Sequence, residues 1–366
     1  MTGSKQRDKN ILYKTFTTFN KIIMPTISFK PQKITKKITA HLHERSSDVI
    51  MNRFGLTSDG KRKTLEEIGK KYNITRERVR QVEDAALRLI KKSDAYKAEQ
   101  AIFEEIKQLM HKMGSIVAEH DLLPYIAKDK ATQNHIHFFL VLSDLFKNHK
   151  EDEHFHTRWS VDDAMTEKVH DALKKLFATL KDEDLIPETE MIKKFFDHMK
   201  ETSEQYRDEE IVKRWLSMSK SVAKNPLGEW GKASSPNIST RGVKDYAFLV
   251  MRRHGSPMHF KEVADSITKT FNKKTHYATC HNELIKDPRF VLVGRGMYAL
   301  SEWGYKAGIA REVIQDILKR EGESLSKDAI VEKVMKERYF KKNTILVNLA
   351  NPKYFKKNKD GLYEAV

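Results

Sequence analysis

Apolar residues recur at helical spacing along most of the chain and at strand spacing in only a few short places. Helical signals begin near Ile38. Leu42, Val49 and Ile50 share one side, and Arg53-Phe54-Gly55-Leu56 closes the segment. Gly55 suits the left-handed position just past a helix end. A polar loop from Thr57 to Lys63 follows. Thr64-Leu65-Glu66-Glu67 reads as a capping box, in which Thr64 and Glu67 satisfy each other's orphan backbone donors. It opens a short helix to about Tyr72. Asn73-Ile74-Thr75 is a tight turn, and Thr75 can cap a helix from Arg76 to about Lys92. Leu65, Ile68, Ile74, Val79, Val82, Ala86 and Leu89 are expected to form one shared core, the last four at i, i+3, i+7, i+10.

The remainder is modular. Residues 98–160 start with a helix (Ile102, Ile106, Leu109, Met113) and end in an aromatic, polar stretch around Phe155 to Trp159. Residues 165–232 repeat the style, with Val169, Leu173, Leu176 and Leu180 on one stripe before Leu185-Ile186-Pro187. Gly228 to Asn237 is rich in Gly, Ser and Pro and reads as a linker. In residues 240–303, Val243, Ala247, Val250 and Met251 mark a helix. Phe260 to Phe271 is a second and Thr275 to Lys286 a third. The strands Phe290 to Val293 and Met297 to Leu300 flank Gly294-Arg295-Gly296, a hairpin signal. Residues 308–366 copy this order. Val313, Ile314 and Ile317 come first, Ser326 caps Ile330 to Met335, and a helix spans Asn343 to Leu349. Lys359-Asp360-Gly361 then sits between Tyr354-Phe355 and Leu362-Tyr363, a hairpin turn. Three helices and a hairpin make a winged helix.

The expected fold class is therefore mainly α: a multi-domain array of helix-turn-helix and winged-helix units with small β-hairpin wings. The expected boundaries are a basic, flexible arm over 1–37, a helix-turn-helix over 38–95, helical winged-helix candidates over 96–160 and 161–232, a linker over 233–239, and winged helices over 240–303 and 304–366. Residues 1–23 show no clear periodicity, and Met24 is a candidate true start beside Met1.

Composition narrows the partner. The 366 residues hold 68 Lys+Arg against 51 Asp+Glu, a net charge of +17, with 39% hydrophobic and 33% charged residues. So much charge fits several small domains better than one large core, and the excess fits a polyanion such as nucleic acid. A basic ribosomal or membrane-surface protein would share it. The single cysteine, Cys280, excludes a disulfide scaffold or Cys-rich metal cluster. No apolar run approaches the ~20 residues of a membrane span, and the N-terminus lacks a signal-peptide apolar region. A cytoplasmic, nucleoid-associated protein is expected, with no membrane partner.

Residues 64–90 carry the sharpest chemistry. Opposite the apolar stripe stand Arg76, Glu77, Arg80, Gln81 and Asp84. Arg suits guanine, Gln adenine and Glu cytosine at major-groove edges. The competing reading is an amphipathic hairpin with a solvated charged face. The expected DNA-binding set is Lys63, Thr64, Thr75, Arg76, Glu77, Arg78, Arg80 and Gln81, with double-stranded DNA as partner.

Residues 41–90 resemble region four of the sigma-seventy family of bacterial sigma factors. The likeness rests on Glu44-Arg45, Val49-Ile50, Arg53-Phe54-Gly55-Leu56, Thr64-Leu65-Glu66-Glu67-Ile68-Gly69 and Thr75 to Glu83. It implies that Arg76, Glu77, Arg80 and Gln81 contact −35 promoter bases or neighbouring phosphates. It also implies that the first helix faces the β flap of core RNA polymerase. Ala85 stands where the family often has a basic residue, which puts one phosphate contact in doubt. The likeness covers roughly a seventh of the chain, and the ~40 residues upstream cannot hold the other sigma regions.

Residues 240–303 resemble the HARE helix-turn-helix domain, a winged helix also found in the delta subunit of RNA polymerase. The likeness rests on Asp245-Tyr246-Ala247, Pro257-Met258-His259-Phe260, His281-Asn282-Glu283-Leu284, Arg289-Phe290 and Gly294 to Leu300. Such domains bind protein as well as DNA. Delta has an acidic tail, whereas here the C-terminus carries Lys353, Lys356, Lys357 and Lys359.

Other constellations are weaker. Gly294-x-Gly296 reads as a wing turn, not a dinucleotide fingerprint. His135-x-His137 and His154-x-His156 lack further ligands, so no metal or cofactor is expected. Cys280 reads as a small buried residue. Trp215, Trp230 and Trp303 are expected to anchor packing between domains. No P-loop or nuclease carboxylate cluster is evident, so neither catalysis nor a small-molecule substrate is expected. The expected function is a DNA-binding transcription regulator. The alternatives are a delta-like, protein-binding polymerase subunit and the DNA-binding half of a restriction or repair system.

Overall fold

The computed structural model describes residues 27–199, 206–305, 310–338 and 340–366. Its described residues are mainly helical, with small antiparallel sheets, as the periodicity predicts. The candidate start at Met24 and most of the expected arm lie outside the described residues. The chain divides into two compact units, one of residues 1–179 and 192–221, the other of residues 180–191 and 222–366.

The first unit begins with five helices: α1 (Pro31–Thr39), α2 (Glu44–Phe54), α3 (Leu65–Tyr72), α4 (Arg76–Lys92) and α5 (Asp94–Ala98). Residues 31–37 are thus helical and not the loose arm expected. Lysines dominate the segment, but Thr35, Ile38 and Thr39 fall on one buried face, and Pro31 sits in the first turn, where its missing N–H costs nothing. A winged helix follows: α6 (Gln100–Lys112), β1 (Ile116–Ala118), α7 (Glu119–Ile126), α8 (Lys130–Leu142), β2 (Lys147–His149) and β3 (Arg158–Ser160). The sheet order is β1-β3-β2, with Val117 and Asn148 both opposite Trp159. One apolar cluster runs from Ile38, Ile50, Phe54, Ala86 and Ile90 through Phe103, Ile106, Phe138 and Phe139 to Trp159. The helix-turn-helix and this winged helix therefore share a core.

A small separate cluster joins Val49, Ile68 and Val79, with Leu65, Tyr72, Ile74 and Val82 packed around it. The single core expected for residues 65–89 is thus divided, since Ala86 belongs to the large cluster. Leu89 is 53% exposed. The stripe passes from Ala86 to Ile90, four residues on, and Leu89 lies a further ~100° around the helix.

The rest of the first unit holds α9 (Asp163–Thr179), part of α10 (Glu188–Asp197) and α11 (Glu209–Ser217). Trp215 on α11 is fully buried and its indole N–H donates to the Gly114 carbonyl at 3.2 Å. A Cβ at Gly114 would lie 2.7 Å from Ile211, and its φ of +112° favours glycine.

The second unit contains β4 (Val222–Lys224) paired with β5 (Trp230–Lys232), and Ile186 bridges Trp230. Next come α12 (Val243–His254), β6 (Met258–His259), α13 (Phe260–Phe271), α14 (Tyr277–Lys286), β7 (Phe290–Gly294) and β8 (Met297–Leu300). Their sheet order, β6-β8-β7, repeats that of the first winged helix. Segment 233–239 is packed rather than free: Ser235 and Ile238 are buried, and Arg289 joins Asn237 at 3.0 Å to Asp245 at 2.8 Å. Last come α15 (Ala310–Glu321), α16 (Lys327–Glu337), α17 (Lys342–Leu349), β9 (Phe355–Lys357) and β10 (Tyr363–Ala365), with Leu325 bridging Tyr363. Along the chain, one order of helix, short extended segment, two helices and hairpin thus occurs four times.

Candidate nucleic-acid interface

The α3–turn–α4 hairpin is fixed at each corner by local chemistry. Thr64 accepts from the Glu67 N–H at 3.2 Å, and Glu67 accepts from the Thr64 N–H at 2.7 Å. Both halves of the capping box are present. Asn73 takes the left-handed conformation, φ 49°, and the Ile74 N–H donates to the Gly69 carbonyl at 3.0 Å. The second helix opens at Thr75, whose hydroxyl accepts from the Arg78 N–H at 3.2 Å. The approach of the turn needs glycine at 69, where a Cβ would stand 2.6 Å from the Ile74 carbonyl oxygen.

Thr75, Arg76, Glu77, Arg78, Arg80 and Gln81 are all exposed, together on the first turns of α4. Arg80 lies between Glu77 and Asp84, 2.7 Å from each. The Arg80 guanidinium holds the Glu77 carboxyl below its usual range. Arg78 donates to the Gln81 side-chain oxygen at 3.1 Å. Arg76 forms no ion pair among the described residues. Lys63 and Thr64 stand instead at the start of α3. The Thr64 hydroxyl is engaged in its cap, and the Lys63 N–H donates to the Asn52 carbonyl at 2.9 Å. Glu83 turns inward to Arg53 at 3.3 Å, and burial pushes its carboxyl up.

One residue holding this hairpin was invisible in the sequence. Asn134, buried on α8, donates to the carbonyls of Gly55 at 3.0 Å and Gly60 at 2.8 Å, and accepts from Arg62 at 2.9 Å. It clamps the loop between α2 and α3 from more than seventy residues away. No local signal announces that role. Thr35 on α1 likewise meets His135 on α8 at 2.7 Å, and Phe54 on α2 meets Phe138 at 5.1 Å. The third helix of the first winged helix is therefore given to packing. The third helices α14 and α17 keep exposed faces, with Tyr277 and Ile285 on one and Val347 on the other.

The remaining candidates are structural. His137 lies 3.6 Å from Glu119, and burial pushes its imidazole down to about 3. No group of three or more potential ligands occurs among the described residues. Gly296, with φ 72°, makes the wing turn, and burial pushes the Cys280 thiol up to about 12. Trp215 packs within the first unit, whereas Trp230 and Trp303 pack within the second. No described helix is long and apolar enough to cross a membrane.

The described structure is a helix-turn-helix joined along the chain to winged-helix elements. Residues 40–92 match the family described as Sigma-70, region 4. Residues 241–303 match the HARE-HTH family, whose description names it a helix-turn-helix domain of ASXL and restriction endonuclease proteins. The chain is 48% identical over 56 residues to RNA polymerase sigma factor RpoD of Helicobacter pylori, covering 15% of this chain and 8% of that one. It is 50% identical over 56 residues to sigma factor SigA of a Nostoc species, and 51% identical over 55 residues to SigA of Clostridium acetobutylicum. Each of these covers 15% of this chain and 14% of the relative. The match thus spans a small part of these relatives. No solved structure matches significantly.

Proposed function

We propose that the protein is a DNA-binding transcription regulator that reads −35-like promoter DNA through α4 and associates with RNA polymerase at the nucleoid. The observation that carries this reading is the exposed Arg76–Gln81 face on a helix capped by Thr75 and held by the Gly69–Ile74 turn. The names of the sigma-factor relatives support the polymerase part. Arg80 must leave Glu77 and Asp84 to reach a base. Exposed ion pairs are each worth about 0–1 kcal/mol, whereas a bidentate base contact discriminates by about 1–3 kcal/mol. The exchange therefore favours the base. The buried face of α1 is occupied by α8, so a polymerase partner meets other parts of the helix-turn-helix.

The test is fluorescence anisotropy on a −35-containing duplex and a scrambled one across a salt series. The native chain should prefer the first by ~100-fold or more at physiological salt. Arg80→Ala with Gln81→Ala should cut that ratio at least ~10-fold. An unchanged ratio overturns the reading.

A further inference from the structure

The hairpins of the four repeats differ in how their cations are paired. Between β2 and β3, Arg158 pairs with Asp152 at 2.9 Å and Lys220 with Glu151 at 2.5 Å. On the β4–β5 hairpin, Lys224 pairs with Glu188 at 2.5 Å and Lys232 with Asp182 at 2.9 Å. The β7–β8 turn offers Arg295 alone. The β9–β10 hairpin is unlike these. It and its approach carry Lys353, Lys356, Lys357 and Lys359, all exposed. None of the four forms an ion pair among the described residues, although Asp360 and Glu364 lie on the same hairpin. Lys341, at the start of α17, is exposed and unpaired in the same sense.

Two of these lysines are also held. Lys353 lies 5.6 Å from the centre of the Tyr354 ring, and Lys357 lies 5.9 Å from that of Tyr363. Arg311 covers Tyr354 at 4.4 Å, and the Leu325–Tyr363 bridge pins the hairpin to its domain. Asn358 closes the turn by accepting from the Leu362 N–H at 2.8 Å. Four unneutralised ammonium groups within seven residues repel one another, and a row of phosphates would relieve that repulsion.

We propose that the β9–β10 hairpin grips the phosphate backbone of duplex DNA, adding affinity without sequence preference to the α4 contact. A duplex, rather than a lipid surface, is favoured because the same chain presents the α4 base-reading face. The proposal rests on that reading. Each phosphate neutralised on B-DNA steepens the log–log salt dependence by about 0.9. It predicts that Lys→Gln at 353, 356, 357 and 359 together flattens the slope by about 3 to 4 and weakens binding by ~10-fold or more at physiological salt.

The experiment is a salt series by fluorescence anisotropy on the −35 and scrambled duplexes, with the full chain, the quadruple Lys→Gln variant and the Arg80→Ala/Gln81→Ala variant. These lysines are exposed, and an unchanged thermal midpoint confirms that the variant folds. Equal loss on both duplexes, with a flatter slope and an unchanged preference ratio, supports the grip. An unchanged slope overturns it, even where the α4 variant still loses preference. If the α4 variant keeps its preference while the lysine variant loses affinity on both duplexes, the base-reading proposal falls and the grip stands. Loss confined to vesicles of one part phosphatidylserine to four parts phosphatidylcholine, with duplex binding intact, also overturns the grip.

Discussion

Replacing Gly69 by alanine sets two effects of opposite sign against each other. Gly69 is inside α3, where alanine is favoured over glycine by about 1 kcal/mol through backbone entropy. Against this, the added Cβ would lie 2.6 Å from the Ile74 carbonyl oxygen, a backbone atom that cannot rotate away. Relief requires the turn to move outward by several tenths of an ångström. That movement stretches the 3.0 Å hydrogen bond from the Ile74 N–H to Gly69. Overpacking of this kind costs about 1–3 kcal/mol, and the strained hydrogen bond adds up to about 1 kcal/mol. The net expectation is a loss of about 1–2 kcal/mol, localised to α3 and the start of α4. Amide hydrogen exchange measures it directly. Residues 66–80 should exchange roughly 5- to 30-fold faster, while α12 to α14 should be unaffected. Affinity for the −35 duplex should fall with the displaced turn. Slower exchange in α3, as helix propensity alone would give, would refute the steric argument.

Two further outcomes follow from buried polar groups. Asn134→Ala removes the partner of two carbonyls and of Arg62, and should destabilise the first unit by about 2–4 kcal/mol; a thermal midpoint within a degree of the native value would contradict the clamp. His137 and His170 are neutral in the fold, with burial pushing them down to about 3 and about 4. The unfolded imidazole, near 6.5, takes up its proton first as the pH falls. Their contribution is therefore whole above about pH 7 and drains from about 6.5 toward 4 and 3. His137 accounts for up to about 1.4 kcal/mol per pH unit, and the partly exposed His170 for less. His137→Gln should narrow the difference in melting temperature between pH 7.5 and pH 4.5, and an equally steep profile in that variant would discount His137.

Features set by neighbours in sequence were legible before the structure was known. The capping box at Thr64 and Glu67, the Thr75 cap, the left-handed Gly55 and the Gly296 wing turn each depend on a few adjacent residues. So does the exposure of Arg76 to Gln81, because an apolar stripe dictates which face of α4 is wet. What stayed hidden depends on contacts distant in sequence. Residues 31–37 looked like a solvated arm because α8, which covers Thr35 and Ile38, lies about a hundred residues away. Leu89 was assigned to the core because its spacing fits a helix stripe as well as Ile90 does, and only the packing decides between them. Asn134 reads as an ordinary polar residue until it is seen between two carbonyls and a guanidinium.

The shared core of the first unit sets a timetable for synthesis. Helices α1 to α5 leave the ribosome with Ile38, Phe54 and Ile90 bare, because the residues that cover them on α8 emerge only about fifty positions later. At roughly 5–20 residues per second, that gap lasts on the order of 2–10 seconds. During it, the fully translated DNA-reading segment is a set of sticky helices rather than a finished domain. A nascent chain halted near residue 95 would fall to chaperones or aggregation, whereas one halted after Trp159 would hold its fold.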